Sequence, residues 1–216
     1  MALFIAAMGL GRASAASAGP AEGNIVFDGD SVSLGQEASP GKTPDAQLRT
    51  MLAHPAAIAD VAVSGLPVFA TLERYGRVVQ PLYKRDARYN VIAFHAGDND
   101  LAAGRTSAET YANFSRYVAL AHAQGWKVIV STELQRTQWA PEQQADLSRY
   151  NRLLLANAAG ADAVIDYAGA PGLRDPGQRQ NPAYFARDGI HPSDNGYRVL
   201  ARMIRSALDR VVAVKK

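Results

Sequence analysis

The sequence predicts an α/β protein of three layers, α/β/α, with helices on both faces of a mainly parallel five-stranded sheet. Three observations carry that expectation. Five short apolar runs rich in β-branched residues are spaced along the chain, and such runs suit strands covered on both faces. Segments of helical period lie between them, and strand–helix alternation builds a parallel sheet with right-handed crossovers. The 216 residues, 48% hydrophobic and 20% charged, are enough to bury a substantial core and too apolar for wholesale disorder.

Taken in order, the expected strands are Asn24–Phe27 (NIVF), Ala59–Val63 (ADVAV), Val91–His95 (VIAFH), Lys127–Ser131 (KVIVS) and Ala163–Asp166 (AVID). Between the third and fourth, Thr106-x-x-Glu109 forms a capping box. The apolar stripe Tyr111, Phe114, Val118, Ala121 follows it, and Gly125 stops the helix. A second helix is expected over 141–158. A third covers 193–212, with Tyr197, Leu200, Ile204, Leu208 and Val211 on one face.

The chain begins with an apolar run, Met1 to Leu10, followed by Gly11-Arg12 and the A-x-A sites of Ala13-Ser14-Ala15 and Ala16-Ser17-Ala18. This pattern resembles a secretory signal peptide with cleavage after Ala15 or Ala18, although no positive charge precedes the apolar run. The expected organisation is therefore a leader-like or disordered segment over 1–22 and a single domain over 23–216. The expected location is periplasmic or secreted, and cytoplasmic if the segment is not a leader. The run is too short to span a bilayer.

Composition removes several function classes. Lys and Arg exceed Asp and Glu by 23 − 20 = 3, the charges are interleaved, and no basic stripe carries aromatic residues, so nucleic acid is not an expected partner. Cysteine is absent, which excludes disulfides, thiolate metal sites and a Cys nucleophile. Only His54, His95, His122 and His191 can supply imidazole chemistry. His54 and His122 read as structural helix-end residues.

In open α/β sheets ligands sit beyond the carboxyl ends of the strands. Three loops there, and one just before the last helix, carry unusual residues: Asp28-Gly29-Asp30-Ser31-Val32-Ser33-Leu34-Gly35, Ser64-Gly65, Ala96-Gly97-Asp98-Asn99-Asp100, and Asp188-Gly189-Ile190-His191-Pro192. A serine nucleophile needs a base, and the base needs an orienter. Three residues apart in one loop, Asp188 can reach Nδ1 of His191 and leave Nε2 facing outward. A tetrahedral oxyanion needs fixed donors. The Ser31 N–H, the Gly65 N–H and the Asn99 amide can provide them. Asp30 and Asp100 read as supports for loop backbone.

Taken singly, each residue has a plainer reading. Ser31 could be a helix cap, Gly65 a turn glycine, Asn99 a cap or turn residue, and Asp188-Gly189 an ordinary turn. Their joint occurrence resembles the SGNH (GDSL-type) hydrolase family, carried by Gly29-Asp30-Ser31, Gly65, Gly97-x-Asn99-Asp100 and Asp188-x-x-His191 in the family's order. Val32 departs from the Leu of the family's name, at an apolar packing position. The resemblance implies a flavodoxin-like sheet and ester hydrolysis with Ser31 as nucleophile, His191 as base and Asp188 as its orienter. It also implies an oxyanion hole of Ser31, Gly65 and Asn99. No metal or organic cofactor is implied.

Two rival readings stand beside it. Phe27-Asp28-Gly29-Asp30 is similar to the first motif of Mg²⁺-dependent haloacid dehalogenase phosphatases, with Asp28 as nucleophile and Asp30 as acid/base. Val32, however, stands where that family needs Thr, and the later acidic motif comes too early. The other rival is a non-catalytic carbohydrate- or lipid-binding module on the same fold. The expected substrate is a small ester, an acylated carbohydrate or a lipid, of the short-acyl esterase, carbohydrate deacetylase, lysophospholipase or thioesterase type. The Gly- and Pro-rich stretch 168–187 and the segment 133–141 are expected to rim the pocket. His95, Trp139, Tyr184 and Phe185 are its expected wall residues. Acyl length and oligomeric state stay open at this level.

Overall fold

The first strand, β1 (Gly23–Gly29), is buried along its whole length. It lies between β2 (Ala56–Asp60) and β3 (Asn90–His95), and β4 (Lys127–Ser131) and β5 (Ala163–Ile165) extend the sheet beyond β3. All neighbouring pairs are parallel, in the order β2-β1-β3-β4-β5. This computed structural model describes residues 23–213, and the leader-like reading of 1–22 lies outside the described residues.

The helices in chain order are α1 (Ser31–Leu34), α2 (Pro44–Met51), α3 (Val68–Val78), α4 (Asp98–Ala102), α5 (Ser107–Gln124), α6 (Pro141–Ala156) and α7 (Asp194–Val212). Successive strand residues point to opposite faces, and the chain uses that period to fill two cores. Ile25, Phe27, Val91, Ala93, Ile129 and Ile165 meet Leu48 of α2 and Tyr197, Leu200, Ile204 and Leu208 of α7. Val26, Ile92, Phe94, Val128 and Val130 meet Tyr75 of α3, Phe114, Tyr117 and Val118 of α5, and Leu147 and Tyr150 of α6. Each such side chain, fully buried, contributes about 1.5–3 kcal/mol relative to exposure. Two covered faces explain why the central strands read as continuous apolar runs.

Several local signals form as the sequence implies. Thr106 and Glu109 close a reciprocal capping box, and Gly125 ends α5 in the left-handed conformation. Ser193 is the N-cap of α7, accepting from the Gly196 N–H. The second strand differs: it runs over Ala56–Asp60 rather than 59–63. Asp60 Oδ1 accepts the Ala62 N–H and turns the chain locally, although Val61 and Val63 N–H still reach the carbonyls of Phe27 and Gly29. The strand's half-buried Ala-rich start carries little β-branched signal.

The order 2-1-3-4-5 is the flavodoxin-like one, and its switch point lies between β1 and β3. The loops leaving those two strands carry Ser31 and Asn99. Here the chemistry collects.

Candidate active site

The loop after β1 is held from below by Asp28, whose side chain is fully buried. It accepts the Gly29 N–H at 2.8 Å and the Tyr117 hydroxyl at 2.7 Å, and it is ion-paired with Arg74. Burial raises its carboxyl above the ordinary range against these three partners. A side chain so enclosed is an anchor, and the phosphatase reading, which needs Asp28 as a nucleophile, fails on it.

Gly29 allows a close approach. A Cβ there would sit 2.0 Å from the His95 carbonyl oxygen, so only glycine lets the end of β1 lie against the end of β3. The next residue fastens that approach, because Asp30 N–H donates to the His95 carbonyl at 3.0 Å. Asp30 then caps α1: its Oδ1 accepts the Val32 N–H at 2.9 Å. Ser31 is the first residue of this single turn. Its N–H, like that of Gly65, is taken by no other group among the described residues.

Ser31 Oγ lies 2.9 Å from Nε2 of His191, and Nδ1 of His191 lies 2.6 Å from Asp188 Oδ2. Asp188 Oδ1 also accepts the Ile190 and His191 N–H groups at 2.8 and 3.0 Å. Partial burial works against its charge, but the imidazole and the two N–H donors prevail and hold its carboxyl below the ordinary value. The loop is tied down by the pairing of Phe185 with Pro192 and by Ala186 N–H donating to the His191 carbonyl at 2.9 Å. A serine hydroxyl, an imidazole and a carboxylate thus form one hydrogen-bonded chain at the carboxyl edge of the sheet. Chemically, it can move a proton off Ser31.

Asn99, half-buried in the first turn of α4, turns its Nδ2 toward Asp30 Oδ2 at 3.4 Å. It is placed there by Gly97, where a Cβ would meet the Tyr150 ring at 2.1 Å, and by Tyr150 itself, whose hydroxyl donates to the Ala96 carbonyl at 2.9 Å. Asp100 Oδ2 accepts the Val68 N–H at 2.6 Å and joins this loop to the start of α3. Gly65 lies in the exposed turn before α3 with open space around its Cα.

The expected wall residues are placed differently. His95 and Phe185 are each 2% exposed and belong to the interior. His95 turns beneath the Ser31 loop because Ser131 Oγ, 2.7 Å from its Nδ1, and Glu133 draw it inward. Phe185 packs in the α7-side core, with the Arg179 guanidinium 4.4 Å over its ring. Trp139 and Tyr184 are half-buried and lean on the two cores. His122 pairs with Asp162 at 2.9 Å, away from these residues.

Sequence reasoning missed Glu133, Arg136 and Arg179. Glu133 and Arg179 are almost fully buried, and Arg136, 9% exposed, is ion-paired with Asp98. Asp30, His95 and Glu133 bring oxygen and nitrogen atoms within 4.8 Å of one another. Asp30 Oδ1 accepts the Val32 N–H and its Oδ2 lies 3.4 Å from Asn99 Nδ2, whereas His95 Nε2 and Glu133 Oε1 are buried without a hydrogen-bond partner among the described residues. The cluster's only sequence signal is position, at or just beyond the ends of β1, β3 and β4.

A flavodoxin-like sheet with a Ser–His–Asp chain at its switch point defines the class: an α/β enzyme arranged for acyl transfer. The model of the GDSL-like lipase/acylhydrolase family matches residues 27–199, and the chain belongs to that family of ester-hydrolysing enzymes. Among solved structures, a lipolytic G-D-S-L family protein from Veillonella parvula superposes with a TM-score of 0.70 at 21% identity, covering 85% of this chain and 96% of that one. TesA gives 0.67 at 18% identity, covering 87% and 99%. An acetylxylan esterase from Geobacillus stearothermophilus gives 0.64 at 16% identity, covering 91% and 96%. At these identities the likeness bears on the fold. The comparison with curated proteins returns no match. Among the described residues, no helix is long and apolar enough to cross a membrane.

Proposed function

We propose that the protein is a serine esterase acting on short-acyl carboxylic esters, with Ser31 as nucleophile, His191 as general base and acid, and Asp188 as the orienter of His191. The observation that carries this reading is the continuous chain from Asp188 Oδ2 through His191 to Ser31 Oγ, with contacts of 2.6 and 2.9 Å. In acylation, Nε2 of His191 takes the Ser31 proton as Oγ bonds to the carbonyl carbon. The carbonyl oxygen becomes an oxyanion facing the Ser31 N–H, the Gly65 N–H and Asn99 Nδ2. Collapse breaks the C–O bond to the alcohol, which leaves with the proton from His191. Water then repeats the sequence on the acyl-enzyme and releases the acid.

The short-acyl assignment is supported by the open side of the site, where Gly65 is exposed with free space around it beside the half-buried Asn99. Acetylated carbohydrates and small acetate esters fit it best. Labelling by a fluorophosphonate and turnover of a nitrophenyl ester series test the reading together. The wild type is expected to be labelled and to prefer acetate over octanoate. Ser31→Ala is expected to resist the label and to lose activity by about 10³-fold or more. Full turnover by Ser31→Ala would overturn the mechanism, and preference for octanoate would overturn the substrate assignment.

A further inference from the structure

Three side chains from three strand ends meet beneath the Ser31 turn. Asp30 follows β1, His95 ends β3, and Glu133 lies two residues beyond β4. They are 0%, 2% and 1% exposed, and each offers a ligand atom within 4.8 Å of the other two. His95 Nε2 and Glu133 Oε2 approach to 3.0 Å, yet not as an aligned hydrogen bond. Nε2 and Glu133 Oε1 have no hydrogen-bond partner among the described residues. Buried polar atoms are nearly always partnered, so orphans gathered at one point mark a place for something to be held.

We propose that Asp30, His95 and Glu133 form a structural metal site that takes one divalent cation, zinc by its ligand chemistry, and fastens the ends of β1, β3 and β4 together. The proposal goes beyond the esterase reading and does not depend on it.

Charge argues for a cation. Among the described residues neither carboxylate is ion-paired with a Lys or Arg, and Arg136, three residues after Glu133, is committed to Asp98. Two buried carboxylates call for compensating positive charge, and a divalent ion between them supplies it in full. The donor set then selects the ion. One imidazole nitrogen with two carboxylate oxygens suits zinc, whereas calcium and magnesium favour all-oxygen shells. Zinc holds such ligands at about 2.0–2.2 Å, which sets neighbouring ligand atoms roughly 3–3.5 Å apart. The contact between His95 and Glu133 is already of that size, and side-chain adjustment closes the rest.

The surroundings hold the ligands in place. Ser131 Oγ lies 2.7 Å from Nδ1 of His95, and with Nδ1–H as donor the Nε2 lone pair faces Glu133. The His95 ring also meets Tyr167 edge-on, with centroids 6.3 Å apart. Asn151 fixes the backbone of Glu133 on both sides, accepting its N–H and donating to its carbonyl, each at 2.8 Å. Asp30 keeps Oδ1 on the Val32 N–H, while Oδ2 has only the 3.4 Å approach of Asn99 Nδ2.

The test is the metal content of the full chain, purified from cells grown with added zinc and measured by inductively coupled plasma mass spectrometry. One zinc per chain is expected. Because the ligands are buried, it should survive dialysis of the native protein against EDTA and be released on unfolding in guanidinium. His95→Gln and Glu133→Gln, with folding checked by circular dichroism, should each retain less than about a tenth of the wild-type zinc. Ser131→Ala keeps all three ligands and removes only the partner of Nδ1. It should raise the zinc concentration for half-saturation on refolding by about 10- to 100-fold. Wild type refolded with zinc should melt about 4 °C or more above wild type refolded with EDTA.

A wild type that carries no zinc after such growth and takes up none on refolding would overturn the proposal, leaving a buried His–Glu contact or a bridging water. So would zinc retained in full by both ligand variants, since it would then sit elsewhere. A stoichiometric metal other than zinc would overturn the choice of ion. If a ligand variant does not fold, the wild-type content and the Ser131→Ala titration decide. Full turnover by Ser31→Ala defeats the esterase reading alone, because metal content is read without activity.

Discussion

Asn99 shows how little separates a turn residue from a candidate oxyanion donor. In isolation an Asn after Gly-Asp is an ordinary helix-start residue. Here its amide is turned toward a buried carboxylate beside the serine. If that amide stabilises the oxyanion, Asn99→Ala should lower kcat on nitrophenyl acetate by about 10²–10³ while KM moves little. A drop confined to KM would make Asn99 a binding residue instead. The residues of this edge were legible because each carries a distinctive side chain at a strand end. His95 was legible as a residue near the site but not in its direction. Which way a strand-end side chain turns depends on partners such as Ser131 and Glu133, which lie 36 and 38 positions further along the chain.

At the scale of elements, β3 and β4 were readable because burial on both faces leaves apolar, β-branched runs. The capping box at Thr106 was readable because its two partners lie three residues apart. The edge strand β2 and the helices α2 and α3 carried weaker local signals, and their placement is decided by contacts across the fold. The loop between β3 and α4 is a clear case of such control. Gly97 has φ +154° and its Cα faces the Tyr150 ring of α6. Gly97→Ala would force Cβ into that ring and strain the backbone, at a cost of about 1–3 kcal/mol or more. Chemical denaturation should show a lower midpoint. Activity should fall as well, since the same loop aims Asn99. An unchanged midpoint would mean that α6 yields more easily than its packing implies.

Across the whole molecule, burial beneath the site raises several carboxyls. Asp30 is raised to about 7, chiefly by burial, and Asp28, Asp100 and Glu133 are raised too. Over the interval between the unfolded value of 3.8 and that folded value, the native state binds more protons than the unfolded chain. Stability of the metal-free chain is therefore greatest at the acidic end and falls as pH rises through about 7. The lowered carboxyl of Asp188 opposes this only below its ordinary range. Denaturant midpoints measured on either side of that interval should be lower on the alkaline side, and Asp30→Asn should flatten the trend. A midpoint rising across the interval would show that the buried acids are paired more strongly than described.

The partnership of Ser31 with His191 spans 160 positions, whereas His191 and Asp188 share one loop. That loop leads directly into α7, the last of the described helices, and Tyr197 in it reaches back to the Gln36 carbonyl beside α1 at 2.7 Å. During synthesis Ser31 therefore emerges long before His191. On the proposed mechanism the Ser31 hydroxyl has no base until α7 docks, so hydrolytic competence would arrive in one late step, once α1 and α7 have met.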